Sequence, residues 1–327
     1  MKELYYHREI PDFIREICET APMQRLTDVG MNCGCEYTSF LQFKEIGKYS
    51  RFEHSLGAGL IVWHFTQDKK QTSAALLHDV ATPCFAHTID FLHGDYLRQE
   101  STEEKTELFI KASEELCEVL RKYAIPVDAV TDYHRYPIAD NDSPQLSSDR
   151  LEYTLGNAVR YGFCVQQEAE TLYGDICVGQ NEKNCEELVF QSEDCAVRFA
   201  EIALECSKIY VSEEDRYSMQ RLSELMALAL KKGLLTEKEL YSEEKKVISC
   251  LNRDRDMSEH WKSFRALHKM VQDESVPEEF RRVIFAKKRY IDPYIAGRGR
   301  VSRINSAFAE KLEEYLNQPQ TKWLYAE

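Results

Sequence analysis

The stretch Ala74-Ala75-Leu76-Leu77-His78-Asp79-Val80 decides how this chain is read. An apolar run of good helix formers leads into two adjacent side chains that can ligate a metal. Neighbouring residues on an α-helix point about 100° apart, so His78 and Asp79 cannot both serve a site halfway along one face. They converge where the helix stops and an ion sits just beyond its end. Val80, Thr82 and Pro83 supply that stop, and small Ala74 and Ala75 admit a close helical neighbour.

Working outward, His54 lies upstream and Asp149 downstream, completing a set His54, His78, Asp79 and Asp149. Neutral imidazoles and carboxylates together suit one divalent ion of borderline or moderately hard character: Mn, Fe, Ni, Co, Zn or Mg. The alternative for His54 is a helix-terminal imidazole hydrogen-bonded to a carboxylate.

Composition limits the rest. A chain of 327 residues with 43% hydrophobic and 30% charged residues buries a substantial core and is not disordered. It holds no long apolar run, which argues against a membrane span, and its N-terminus lacks a signal core, which points to the cytoplasm. A net charge of -14 argues against broad adsorption to nucleic acid or anionic membrane, yet leaves room for a small phosphorylated substrate held by a metal and a few arginines. The eleven cysteines are an odd number, with only Cys33 and Cys35 closely spaced, so they are expected to be reduced thiols.

Helical periodicity dominates. Expected helices cover 9–22 (stopping before Pro22), 54–65, 71–79, 101–122 and 146–159, then 165–174, 192–209, 213–232, 236–250, 256–271, 278–288 and 302–316. Strand content is expected to be a hairpin or two. A basic stretch from 281 to 303, with Arg281, Arg282, Lys287, Lys288, Arg289, Arg298, Arg300 and Arg303, interrupts the acidic balance. Read by itself, it is a surface paired with the Glu-rich remainder.

Three separated pieces carry a resemblance: Arg51-Phe52-Glu53-His54-Ser55-Leu56-Gly57, Leu77-His78-Asp79 with Phe85-Ala86-His87 and Asp90, and Asp149-Arg150-Leu151-Glu152-Tyr153. Together they resemble the HD-domain metal-dependent phosphohydrolases, and within them the deoxynucleotide triphosphohydrolase, or dGTPase-like, branch. The resemblance covers roughly 24–159 and, in patches, 287–305, where it implies that basic residues reach a nucleotide substrate or an oligomer interface. It implies an all-α fold, with an HD-domain core over 1–175 and additional C-terminal helices over 176–327 packed on that core. It assigns His54, His78, Asp79 and Asp149 to the metal, and His87 with Asp90 to catalysis. Arg51 and Arg150 become phosphate contacts, Tyr153 a base or sugar platform, and Asn157 a contact near the sugar. His134 is a loop histidine, a substrate contact or an extra ligand.

The pattern also departs from the family. Relatives commonly read His-Asp-x-Gly-His-Gly-Pro-Phe-Ser-His, whereas this chain has Thr82 where an auxiliary active-site histidine stands. A threonine hydroxyl does not replace imidazolium as a proton donor near neutral pH. The local sequence 98–104 likewise offers glutamate but no histidine. The implied reaction is hydrolysis of a nucleotide, in the concrete case a deoxynucleoside triphosphate giving nucleoside and tripolyphosphate. A phosphatase or phosphodiesterase on another small phosphate ester, and a catalytically weak nucleotide-binding regulator, stand beside it. A homo-oligomer is left open.

Overall fold

A computed structural model of the protein describes residues 10–94, 105–271, 284–320 and 324–327. Helices dominate, as the periodicity predicts, and the only strands among the described residues form one small sheet.

Three helices build the centre, and each starts where the sequence supplies a cap. Helix Arg51–Thr66 opens with a capping box: Glu53 N donates to Ser50 Oγ, and Ser50 N donates to the Glu53 carboxylate. This box sets the start at Arg51 rather than at His54. Helix Lys69–Leu77 starts at Asp68, whose Oδ1 accepts from Lys70 N and Gln71 N. Helix Ser148–Arg160 starts at Ser147, whose Oγ accepts from Arg150 N. Leu60, Ile61, Leu76, Leu77, Leu151 and Leu155 are buried between and around them, each contributing ~1.5–3 kcal/mol of apolar transfer.

Glycines let the Arg51–Thr66 helix lie against both partners. A Cβ on Gly59 would stand 3.2 Å from Leu76 Cβ, and one on Gly57 would stand 2.6 Å from Glu152 Cγ. The pairing brings His54, His78 and Asp149 to one place.

The sheet runs β1 (Ile176–Gln180), β2 (Glu186–Phe190), β3 (Tyr294–Ile295) and β4 (Gly299–Arg300) in that order. β1 and β2 form an antiparallel hairpin with Val178 opposite Leu188; β2 meets β3 in parallel through Phe190 and Ile295. One hydrophobic cluster centres on the three helices and the sheet; the other gathers Phe40, Phe43, Phe85, Leu222, Met226, Leu251 and Trp261. Each cluster draws on residues from both sides of position 175.

Several boundaries differ from the periodicity, mostly because short polar side chains cap new helices. Pro22 does not end a helix; it sits in the first turn of helix Ala21–Arg25, after a break at Thr20. The described part of 101–122 is two helices, Thr106–Ala112 and Glu114–Lys122, parted where Ser113 Oγ accepts from Leu116 N. Asn305 splits 302–316 in the same way. Over 236–250 only a 3-10 turn, Glu239–Tyr241, precedes helix Glu244–Arg253. Residues 284–288 are not helical. The expected starts at 9 and 101, the segment 98–104, Arg281 and Arg282 lie outside the described residues. All eleven cysteines are free thiols. Among the described residues no helix is long and apolar enough to cross a membrane.

Candidate metal centre

His54 Nε2, His78 Nε2 and Asp149 Oδ1 point at one another. The separations are 3.1 Å between the imidazoles, 3.0 Å from His54 to Asp149 and 3.4 Å from His78 to Asp149. Donors about 2.1 Å from a shared ion stand about 3.0 Å apart at right angles and about 3.4 Å apart at the tetrahedral angle. The three donors therefore have the spacing that one ion imposes. Asp79 Oδ2 stands slightly farther off, 3.5 Å from His78 Nε2 and 3.8 Å from His54 Nε2.

The local backbone explains how adjacent residues both reach this point. Helix Lys69–Leu77 ends before His78, which is its C-cap, and Thr82 N closes the following turn on Asp79 O at 2.9 Å. The pair thus lies across the helix end, not along a face.

Both imidazoles are oriented from behind. His54 Nδ1 donates to Glu152 Oε2 at 2.6 Å, and His78 Nδ1 donates to Ala75 O at 2.7 Å. In the neutral rings this fixes the tautomer that leaves each Nε2 lone pair facing the cluster. Tyr49 OH donates to the same Glu152 oxygen in a short hydrogen bond. Asp79 Oδ1 accepts from Thr82 Oγ1 at 2.7 Å, and the carboxylate also pairs with Arg51 Nη1 at 3.0 Å. The side chains of His54, His78 and Asp79 are 1%, 8% and 11% exposed and Asp149 is 26% exposed, so the cluster opens on the Asp149 side.

Charge follows from this packing. Burial disfavours the His54 imidazolium, but hydrogen bonds to Asp149 and Glu152 outweigh it and hold the group up at about 10. His78 is also raised: burial opposes, and Asp79 and Asp149 prevail. Burial works against the Asp79 and Asp149 carboxylates too, yet Arg51 holds the first, and the two imidazoles hold the second, below the usual carboxylate range. Two imidazoles that keep protons and two carboxylates that shed them form a donor set a divalent cation can take over, displacing the protons.

No family model matches the chain. It is 26% identical over 199 residues to the metal-dependent phosphohydrolase cns2 of Cordyceps militaris, covering 61% of this chain and 54% of the fungal protein. The chain thus spans about half the length of that relative. An uncharacterised protein of Bacillus subtilis, YdhJ, is 22% identical over 295 residues, covering 89% of this chain and 86% of that protein. Among solved structures, a phosphohydrolase from Bacteroides thetaiotaomicron aligns with a TM-score of 0.63 at 14% identity, over 97% of this chain and 96% of that one. A hypothetical protein from Aquifex aeolicus aligns with a TM-score of 0.61 at 19% identity, over 96% and 92% of the two chains. The fold is shared with a phosphohydrolase.

Around the donors, the other residues singled out in the sequence take varied places. Arg51 is buried and held by Asp79; its Nε has no hydrogen-bond partner among the described residues. Arg150 grips the preceding turn, with Nη1 on Asn141 Oδ1 at 2.7 Å and on Asp140 Oδ1 at 3.1 Å. Tyr153 lies near His54, with ring centroids 6.4 Å apart, and burial pushes its phenol up to about 12. Asn157 donates to Tyr210 OH at 2.7 Å. His87 Nδ1 donates to buried Asp90 at 2.8 Å, leaving Nε2 for other work, and its side chain is 26% exposed. His134 is half exposed, paired with Asp140 at 3.1 Å and packed on Tyr133, whose ring in turn lies 5.5 Å from that of His78.

Glu152, Tyr49 and Asp140 are the residues that sequence reasoning gave no role. Glu152 had a signal: three positions after Asp149, it shares that helical face. Tyr49 and Asp140 had none, since their partners come together only in the fold.

Proposed function

We propose that the chain is a metal-dependent phosphohydrolase of the HD-domain type acting on a nucleotide, with one divalent ion held by His54, His78, Asp79 and Asp149. The observation that carries this is the donor spacing of 3.0–3.4 Å between two imidazoles and a carboxylate, each imidazole oriented through its other nitrogen. Similarity to the Cordyceps militaris phosphohydrolase and the shared fold with the Bacteroides thetaiotaomicron one support the same reaction class.

Held by His54, His78, Asp79 and Asp149, a divalent ion would supply Lewis acidity toward water and a phosphoryl oxygen. The protein's own groups supply the rest. Arg51, paired with Asp79, and Arg150, next to Asp149 in sequence and paired with Asp140, carry guanidinium groups suited to phosphate oxygens. His87, with Nδ1 fixed by Asp90, has Nε2 available to take a proton from attacking water or give one to the leaving oxygen. Tyr153 offers an aromatic face to a base or sugar, and Asn157 keeps its amide oxygen for a hydroxyl. The family-like reaction is conversion of a deoxynucleoside triphosphate to nucleoside and tripolyphosphate.

One observation favours a second reading, a phosphatase or phosphodiesterase on a smaller phosphate ester. Thr82 spends its hydroxyl on Asp79, and Arg51 and Arg150 are already engaged with carboxylates, so fewer charges are free for a triphosphate. The experiment is a nucleotide and phosphate-ester screen on metal-replete protein with product identification. Tripolyphosphate release selects the first reading and orthophosphate release the second. Nucleotide binding without turnover across Mn, Co, Ni, Zn and Mg would overturn both in favour of a regulator.

A further inference from the structure

Far from the donor cluster in sequence, Arg300 and Glu187 form a buried pair, 5% and 0% exposed, with Nη1 and Nη2 on the two carboxylate oxygens at 2.6 and 2.8 Å. Removing a charge from water is costly, and a buried pair endures only when its remaining hydrogen-bonding groups are also met. Here they are. Arg300 also donates to Glu182 and to Asp292 O, and Glu187 accepts from Asn181 Nδ2 and Leu146 N, each at 2.9 Å.

The bond to Leu146 N gives the pair its interest. Leu146 ends the turn that leads into helix Ser148–Arg160, and Asp149 lies in that helix's first turn. The same turn is tied a second time by Asp292 N donating to Pro144 O at 3.0 Å, and a third by Leu188 N donating to Leu146 O at 3.4 Å. Asp292 is itself fixed by Ser302, whose N donates to its carboxylate at 2.9 Å. Every one of these ties comes from the sheet or the segment around it, beyond position 175. Ser147 and Ser148 are completely buried, so the turn has no solvent to relax into.

We propose that Glu187 and Arg300 are positioning residues for the metal centre: the ion pair holds the 144–148 turn and thereby aims Asp149 at His54 and His78. This rests on the reading of Asp149 as a ligand. The C-terminal segment then contributes to the site by bracing a ligand-bearing turn, and the basic character of Arg300 is spent inside the fold.

The test uses the full chain and Mn2+ titrated calorimetrically at 25 °C, with circular dichroism establishing that each variant is folded. Arg300→Lys keeps the charge but loses the fork, and Glu187→Gln keeps the shape but loses the charge. The double change Glu187→Leu with Arg300→Met fills the same space while leaving Leu146 N–H without its acceptor, which covers the case in which a single variant fails to fold. Leu251→Ala, in the other hydrophobic cluster, is the control for general destabilisation. Each of the three clamp variants should weaken Mn2+ binding about tenfold, the scale seen for outer partners of metal ligands. Leu251→Ala should bind as the unaltered chain does, and hydrogen exchange at Leu146–Arg150 should rise only in the clamp variants. Unchanged Mn2+ affinity in the clamp variants, or an equal loss in Leu251→Ala, overturns the proposal. Asp149→Ala separates the two layers: if it binds Mn2+ normally the ligand reading fails, and if it alone loses Mn2+ only the clamp fails.

Discussion

Raising the pH should tighten metal binding steeply, because the ion must displace a proton that the site itself holds. His54 keeps its proton up to about 10 through Asp149 and Glu152 despite its burial. A metal needs the Nε2 lone pair, so at any pH below that value binding releases a proton from His54. One proton released per ion gives about tenfold in affinity per pH unit, so about a hundredfold, or ~2.7 kcal/mol, between pH 6.5 and 8.5. His78 is shifted in the same direction and steepens the slope. Mn2+ suits the titration because it stays unhydrolysed over this range. The assay is calorimetry at several pH values and in two buffers of different ionisation enthalpy, which counts protons directly. The sign for stability runs the opposite way in the metal-free chain. A folded-state pKa above the unfolded value gives stabilisation that is complete below about 6.5 and disappears as pH rises through about 10. Equal affinity at pH 6.5 and 8.5, with no buffer-dependent heat, would refute the reasoning.

Further outcomes follow from neighbouring contacts. Thr82→Val removes the hydroxyl from Asp79 Oδ1; loss of ~0.5–1.5 kcal/mol should weaken metal binding about two- to tenfold, measured by the same calorimetry. Gly57→Ala places a methyl 2.6 Å from Glu152 Cγ and should cost ~1–3 kcal/mol in chemical denaturation, weakening metal binding as Glu152 is pushed from His54. Burial lifts the Asp215 carboxyl to about 8, so its stabilising effect is present at low pH and lost as pH rises through 8. Between pH 6 and 9 this costs the unaltered chain ~2.7 kcal/mol, so Asp215→Asn should lose ~4 °C less in Tm over that range, followed by thermal scans.

How much of this was legible depended on the range of the interactions. The end of a helix at Leu77 could be read from Val80, Thr82 and Pro83, and it is what lets His78 and Asp79 face one point. Local caps were harder: Ser50, Ser113 and Asn305 moved or split helices that periodicity drew as continuous, since a single side-chain hydrogen bond decides such boundaries. Residue pairs distant in the chain were not legible. Glu152 could be placed on the face of Asp149, but nothing in the sequence joins it to Tyr49. Arg51 appeared as a cation for substrate, and the fold pairs it with Asp79. Arg300 reads in the sequence as part of a basic surface or of a substrate or oligomer contact, whereas the fold buries it against Glu187.

Metal analysis of the protein purified without chelator, beside Asp149→Ala, tests the central claim most directly. The account predicts about one tightly held divalent ion per chain and its loss from the variant. A chain that takes up no divalent ion when supplied with one, or a variant that keeps full occupancy, contradicts it.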